Sequence, residues 1–342
     1  MTYDIFHADK PLMLESGYIL PNYHLAYTTY GKLNNTKDNV VWIFHALTAN
    51  SNAAEWWPGL VGDGKLFDPE KYFIICVNMP GSCYGSTGPL DKNSETGEIY
   101  YHDFPFFTPR DMVRSYQPLK EFLGIQKIKI GIGGSMGGQQ LLEWAIEEPD
   151  LFETIFPIAT NARHSAWGIA FNASQRMCIE ADGTWKEKNA QAGMEGMKAA
   201  RSIALISYRH YETYHASQSE QHIDKIENYK SESYQKYQGE KLGKRFNAFS
   251  YYFLSKGMDA HNVGRGRISI EDALQKIKAK TCAIGITTDI LFPVNEQQFI
   301  VENISDAEFT AINSLYGHDG FLLEYEQIEN IISRAIEKVA IK

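Results

Sequence analysis

The stretch Lys127-Ile-Lys-Ile-Gly-Ile-Gly-Gly-Ser135-Met-Gly-Gly-Gln-Gln-Leu-Leu-Glu-Trp-Ala145 decides the fold. A short apolar run gives way to a glycine cluster around one serine and then to a helical pattern, so the spacing predicts strand, sharp turn and helix. Within it, Gly133-Gly134-Ser135-Met136-Gly137 reads G-x-S-x-G. At such a turn a serine is held in a strained conformation that lifts its hydroxyl above the sheet, and its neighbours must be small because Cβ atoms would collide there. Ser135 is therefore a candidate nucleophile; the competing reading is a glycine-rich turn with an incidental serine. A dinucleotide fingerprint starting at Gly131 fails by one position, because it needs glycine where Met136 stands.

Outward from this turn, further unbroken apolar runs occur at residues 39–48 (NVVWIFHALT), 72–80 (YFIICVNMP), 154–159 (TIFPIA) and 281–286 (TCAIGI). Runs of this kind suit interior strands of a parallel sheet, covered on both faces. Helical patterns lie between several of them, for example at 111–123 and 139–148, which predicts a mostly parallel α/β sheet with right-handed crossovers. Residues 17–33 read as two strands joined through Pro21-Asn22 in a hairpin. Between about 165 and 262 the buried-strand runs stop, and helix formers, charges and tyrosines take over. That predicts a helical lid insertion at 165–262 in a core made of 1–164 and 263–342. Its lysines, Lys225, Lys230, Lys236, Lys241 and Lys244, read as solvated helix faces, with contact to a phosphate-bearing cofactor as the alternative. Residues 325–341 make a closing amphipathic helix with Ile328, Ile331, Ile332, Ala335 and Val339 on its apolar side.

Composition narrows the function. The chain has 342 residues, is 44% hydrophobic and 22% charged, and carries a formal charge of −9. A sizeable core is available, and an acidic balance disfavours a nucleic-acid partner, which needs clustered Lys and Arg. No run approaches the roughly 18 apolar residues of a membrane span, and the first residues lack a signal-peptide pattern, so a cytoplasmic protein is expected. The four cysteines, Cys76, Cys83, Cys178 and Cys282, show no C-x-x-C spacing and read as reduced thiols. The ten histidines include no H-E-x-x-H, so no metal is expected.

A serine hydroxyl needs a base, and the base needs a group that orients it. In the α/β-hydrolase order the acid and the histidine follow the serine on loops after later strands. Asp289 stands just after the 281–286 run, and His318 follows the apolar run that begins at Phe309. The triad is then Ser135, Asp289 and His318. The oxyanion formed on acyl attack needs preorganised N–H donors. One is expected from Met136, after the nucleophile, and one from the loop at residues 45–48, assigned to Leu47 with Thr48 as second choice. His45 is read as a loop anchor and not a base.

Several longer strings go beyond this pattern: YTTYGKLNN at 27–35, HALT at 45–48, NMPGSCYGSTGP at 78–89, FPFFTPRDMV at 104–113, GGSMGG at 133–138, IATNARHS at 158–165 and MDAHNVGRGR at 258–267. Through them the chain resembles the homoserine O-acetyltransferase family of the α/β-hydrolase superfamily over nearly its whole length. The resemblance implies a two-step transfer in which Ser135 takes an acetyl group from acetyl-CoA and passes it to the hydroxyl of L-homoserine, in methionine biosynthesis, with no permanently bound cofactor. It also implies substrate contacts from Arg201 and Tyr208, seven residues apart on an insertion helix, from Asp319 to the ammonium, and from Thr48. An Arg fork suits a carboxylate and an aspartate suits an amine. A homodimer pairing through the lid helices is expected. Succinyl-CoA as donor, serine as acceptor, and a serine esterase of the same fold are the alternatives. Asn247 and Phe249 depart from the family pattern, which expects Asp and Asn there.

Overall fold

The computed structural model describes residues 3–340, with side chains through residue 337. Its strands are β1 (Asp4–His7), β2 (Leu12–Met13), β3 (Ile19–Leu20), β4 (His24–Tyr30), β5 (Val40–Phe44), β6 (Phe73–Val77), β7 (Ile128–Gly134), β8 (Phe152–Ile158), β9 (Lys280–Ile286) and β10 (Ala307–Ile312). Eight of them form one sheet in the order β1-β4-β6-β5-β7-β8-β9-β10. From β6 to β10 the neighbours are parallel, and β1 and β4 add an antiparallel edge. The expected hairpin across Pro21-Asn22 is not formed: β3 pairs with β2, while β4 pairs with β1 and β6. Alternation of apolar residues marks strands without naming their partners, and β4 has the longer buried stretch to lay against β6.

The helices are α1 (Ala53–Trp56), α2 (Pro109–Phe122), α3 (Met136–Glu147), α4 (Ala166–Glu180), α5 (Met194–Tyr208), α6 (Tyr211–Gln218), α7 (Lys230–Gly243), α8 (Ala248–Asp259), α9 (Ile270–Gln275), α10 (Val294–Glu302), α11 (Gly320–Leu323) and α12 (Tyr325–Ala340). On β5 the two-residue strand period divides the core: Val40, Trp42 and Phe44 join the layer of α2 and α3, and Val41 and Ile43 join the layer of α12. Ile328, Ile332 and Ala335 of α12 are buried there; the Val339 side chain and Ile341 lie outside the described residues. The start of α2 shows why its sequence is a helix signal: Thr108 and Asp111 form a reciprocal capping box, with Pro109 at the first helical position.

Helices α4 to α8 lie between β8 and β9, and the two ends of this insert run side by side. His164 N donates to His261 O at 3.0 Å, and Val263 N donates to Ala162 O at 2.9 Å. Beneath this neck lies a buried ion-pair network. Arg110 of α2 reaches Glu143 of α3 at 3.0 Å and Glu15 at 2.7 Å, while Arg265 takes Glu15 at 2.7 Å and Arg267 takes Glu143 at 2.9 Å. Burial pushes the Glu15 carboxyl up, but hydrogen bonds from Arg265 and Thr108 and the Arg110 charge hold it below its ordinary value. The strings FPFFTPRDMV and MDAHNVGRGR thus meet as two halves of one clamp. Breaking one member leaves buried charge uncompensated, so Arg110→Ala is expected to destabilise the fold by about 3–5 kcal/mol, measured by urea unfolding. A loss under about 1 kcal/mol would show the network to be dispensable.

Candidate active site

Ser135 sits at the junction of β7 and α3 with φ 57° and ψ −126°, a region costly for a residue with a Cβ. The neighbours hold it there. Ser135 N donates to Ile158 O at 2.9 Å, and the Thr160 hydroxyl donates to Ser135 O at 2.8 Å. A Cβ at Gly137 would stand 2.1 Å from Phe44 O, and one at Gly133 would stand 2.5 Å from Gly137 C. Glycine is required at both positions by the close approach of α3 to the ends of β5 and β7.

Asp289 and His318 come from the turns after β9 and β10. His318 Nδ1 lies 2.7 Å from Asp289 Oδ2, and the other oxygen, Oδ1, accepts from Leu291 N at 2.8 Å and Phe292 N at 2.9 Å. A carboxylate so engaged places the imidazole proton on Nδ1 and leaves Nε2 as an acceptor. Aromatic rings fix the imidazole in place: Phe292 stacks at 5.1 Å, Phe321 meets it edge-on at 5.3 Å, and Tyr208 lies at 5.7 Å. The turn carrying His318 is pressed on the end of α5, since a Cβ at Gly317 would come within 2.9 Å of Tyr208 O.

Ser135 and His318 open into one cavity of about 320 Å³, together with Leu47, Thr48, Arg201, Tyr208 and Asp319. Asp289 stands behind the histidine, fully covered. The N–H groups of Leu47 and Met136 have no acceptor among the described residues, the state expected of oxyanion donors. His45 Nε2 accepts from Met79 N at 3.1 Å, so its Nδ1–H donates to Ala46 O at 2.9 Å. Burial pushes this imidazole down to about 4, and it anchors the loop as a neutral group.

The polar residues of the cavity are arranged unequally. The Arg201 guanidinium lies over the Tyr208 ring at 5.4 Å and has no carboxylate partner among the described residues. Asp319 is met by Arg209 at 2.9 Å, an ion pair whose N–H is not aligned for a hydrogen bond. Thr48 lines the cavity, and its carbonyl accepts from Arg245. Arg209 and Arg245 escape a sequence reading because no motif marks them, while Lys241, read with its neighbours as a solvated helix face, lines the cavity. The only signal for Arg209 is its place directly after Tyr208. The two departures from the family pattern line no part of this cavity. Asn247 accepts from Ser250 N at 2.8 Å and so caps α8, as an aspartate would, while Phe249 is buried against His102 and Trp185.

A serine at a strained strand-to-helix turn, with an acid and a histidine on later turns of a mostly parallel sheet, defines an α/β hydrolase, and residues 39–325 match the family model described as alpha/beta hydrolase fold. The chain is 48% identical to a homoserine O-acetyltransferase of Cyclobacterium marinum over 97% of its own length and 94% of that protein. It superposes on the crystal structure of homoserine O-acetyltransferase from Bacillus anthracis with a TM-score of 0.91 at 25% identity, covering 98% of this chain and 97% of that one. The chain belongs to the homoserine O-acetyltransferase family. Esterase E22 shares the fold with a TM-score of 0.87 at 24% identity, covering 96% of this chain and 98% of that one.

Two more buried histidines lie behind the site, and burial pushes His164 down to about 4 and His261 to about 3. With His45, three imidazoles stay neutral when folded yet accept protons near 6.5 when unfolded. The unfolded chain therefore binds more protons below that pH. Stability is expected to be at its full value above about pH 6.5 and to fall toward pH 4, by up to roughly 4 kcal/mol per unit at its steepest. Urea midpoints measured between pH 8 and 4 test this; a flat profile across pH 6.5–5 would refute it.

Proposed function

We propose that this chain transfers an acetyl group from acetyl-CoA to the side-chain hydroxyl of L-homoserine through an acyl-enzyme on Ser135. The observation that carries the reading is the unpaired Arg201 guanidinium in the same cavity as Ser135, His318 and Asp319. A cation for a carboxylate and a carboxylate for an ammonium, beside a nucleophile, complement an amino-acid acceptor; simple ester hydrolysis needs neither.

In the first step His318 Nε2 takes the Ser135 proton as Oγ attacks the thioester carbonyl, and the oxyanion is met by the N–H groups of Leu47 and Met136. Collapse breaks the carbon–sulfur bond, and the proton on His318 leaves with the CoA thiol. In the second, His318 takes the proton of the homoserine hydroxyl, whose oxygen attacks the acyl carbon; collapse releases O-acetyl-L-homoserine and returns the proton to Ser135. Asp289 keeps the imidazole oriented throughout. Residues 165–262 act as a lid on the core of 1–164 and 263–342, limiting water that would hydrolyse the acyl-enzyme. The reaction belongs to methionine biosynthesis in the cytosol. Exposed Trp167, Met177 and Ile206 on α4 and α5 support pairing of two copies through the lid helices.

A thiol-release assay crossing acetyl-CoA and succinyl-CoA with L-homoserine and L-serine tests the reading. Thiol release that requires acetyl-CoA and homoserine is expected, and it should vanish in Ser135→Ala; release indifferent to every amino acid would indicate an esterase instead. Arg201→Ala is expected to raise the KM for homoserine roughly tenfold to a hundredfold, the worth of one charge-assisted hydrogen bond, with little change for the donor. An unchanged acceptor KM would remove Arg201 from the site.

A further inference from the structure

Asp319 lines the active-site cavity, and its charge is countered from outside it. Its Oδ2 lies 2.9 Å from Arg209 Nε, yet Arg209 lines no part of that cavity; it lines a separate one of about 690 Å³ together with Tyr211 and Tyr214. The ion pair therefore spans the wall between two cavities. Only 13% of the Asp319 side chain is exposed, and a carboxylate so covered needs a counter-charge. Asp289 shows the other way of holding a carboxylate, with its two oxygens taken by His318, Leu291 and Phe292. No described residue donates a hydrogen bond to Asp319, because the Arg209 Nε–H is not aligned for one. Charge alone holds it, and its lone pairs stay available. Arg209 is itself fixed. Its backbone N donates to Leu205 O at 3.0 Å at the end of α5, and its guanidinium lies over the Tyr316 ring at 5.8 Å. A few residues on, the Thr213 hydroxyl donates to Leu315 O, so the elbow between α5 and α6 is laced to the turn that carries His318 and Asp319.

We infer that Arg209 is a positioning residue of the acceptor site: from outside the cavity it holds the Asp319 carboxylate at the cavity wall, with its lone pairs free for the ammonium of the amino acid. This rests on the transferase reading above. An ammonium brings three N–H donors, and a carboxylate already hydrogen-bonded by an arginine fork would have fewer lone pairs to offer it. Without Arg209, Asp319 has no ion-pair or hydrogen-bond partner among the described residues, so its side chain would lose the contact that keeps it from rotating away. The guanidinium stands outside the cavity and does not occupy the place of the ammonium. Its removal therefore costs a preorganised carboxylate and relieves no competition.

The test uses Arg209→Met, which keeps much of the stem and removes the charge, and Arg209→Lys, which keeps the charge. In Arg209→Met the kcat/KM for homoserine is expected to fall about tenfold, through KM, and to recover most of the way in Arg209→Lys. The amine is the group read, so the Ki of 4-hydroxybutyrate, which keeps the carboxylate and hydroxyl of homoserine and lacks the amine, should stay at its wild-type value when measured as a competitor of homoserine. Acetylation of Ser135 by acetyl-CoA without acceptor, followed as the burst of thiol, should keep its wild-type rate. In an Asp319→Asn background Arg209→Met should add nothing further, since it acts through that carboxylate. An unchanged or raised kcat/KM for homoserine, a Ki for 4-hydroxybutyrate that rises by the same factor, a full further loss in the Asp319→Asn background, or an equal slowing of Ser135 acetylation, as expected of a residue that only braces the His318 turn, would overturn the inference. A wild-type protein that acetyl-CoA does not acetylate, or whose acyl-enzyme homoserine does not discharge, would overturn the transferase reading itself and the inference with it.

Discussion

A Cβ at Gly137 would stand 2.1 Å from the Phe44 carbonyl oxygen, and this contact between the start of α3 and the end of β5 sets the positions of the other parts of the site. It brings the first turn of α3, which starts at Met136, against the end of β5 and the start of the loop that carries Leu47. It also forces the chain through the turn at Ser135, whose φ of 57° is held by Ile158 and Thr160 on the neighbouring strand. The strain at the serine is balanced by ordinary hydrogen bonds from β8, and the side chain is left projecting into the cavity.

A second constraint relates the helical insert to this turn. The insert leaves and rejoins the sheet through a paired neck at residues 161–164 and 261–263, above the buried network of Arg110, Glu143, Glu15, Arg265 and Arg267. Anchored at that end, α5 carries Arg201 and Tyr208 over the cavity and presses its last residues on the turn of His318. Just past α7, Arg245 reaches the loop at residues 45–48 by donating to Thr48 O. The insert therefore touches both the turn of His318 and the loop at residues 45–48, and it adds Arg201 and Tyr208 to a cavity whose Ser135 and His318 come from turns at the ends of strands.

Much of the core was legible because its signals are local. Unbroken apolar runs mark buried parallel strands, and a glycine-rich turn around Ser135 has few other uses when a helix follows. Asp289 and His318 could be picked out by position, each just past such a run, and the structure brings them within 2.7 Å. The edge of the sheet was misread at Pro21-Asn22, because two short amphipathic segments close in sequence look like a hairpin whether or not they pair. Arg209 and Arg245 carried no signal, and Lys241 reads first as a solvated face, since a charged residue at the end of a helix looks alike whether it faces solvent or a cavity.

By itself the sequence determined the kind of protein: strand order in the chain, the glycine-rich turn at Ser135, and the family strings at 78–89, 104–113 and 258–267. These follow from short-range rules of backbone geometry and apolar periodicity, which act within a few residues. Only the tertiary structure decided which charges are spent and which are free. Arg265 and Arg267 are consumed in the clamp beneath the neck, Asp319 is shared with Arg209, and Arg201, Lys241 and Arg245 are left without carboxylate partners around one cavity. Pairing of charges depends on distances between residues as far apart in the chain as Glu15 and Arg265, and such distances exist only once the sheet, the insert and its neck have come together.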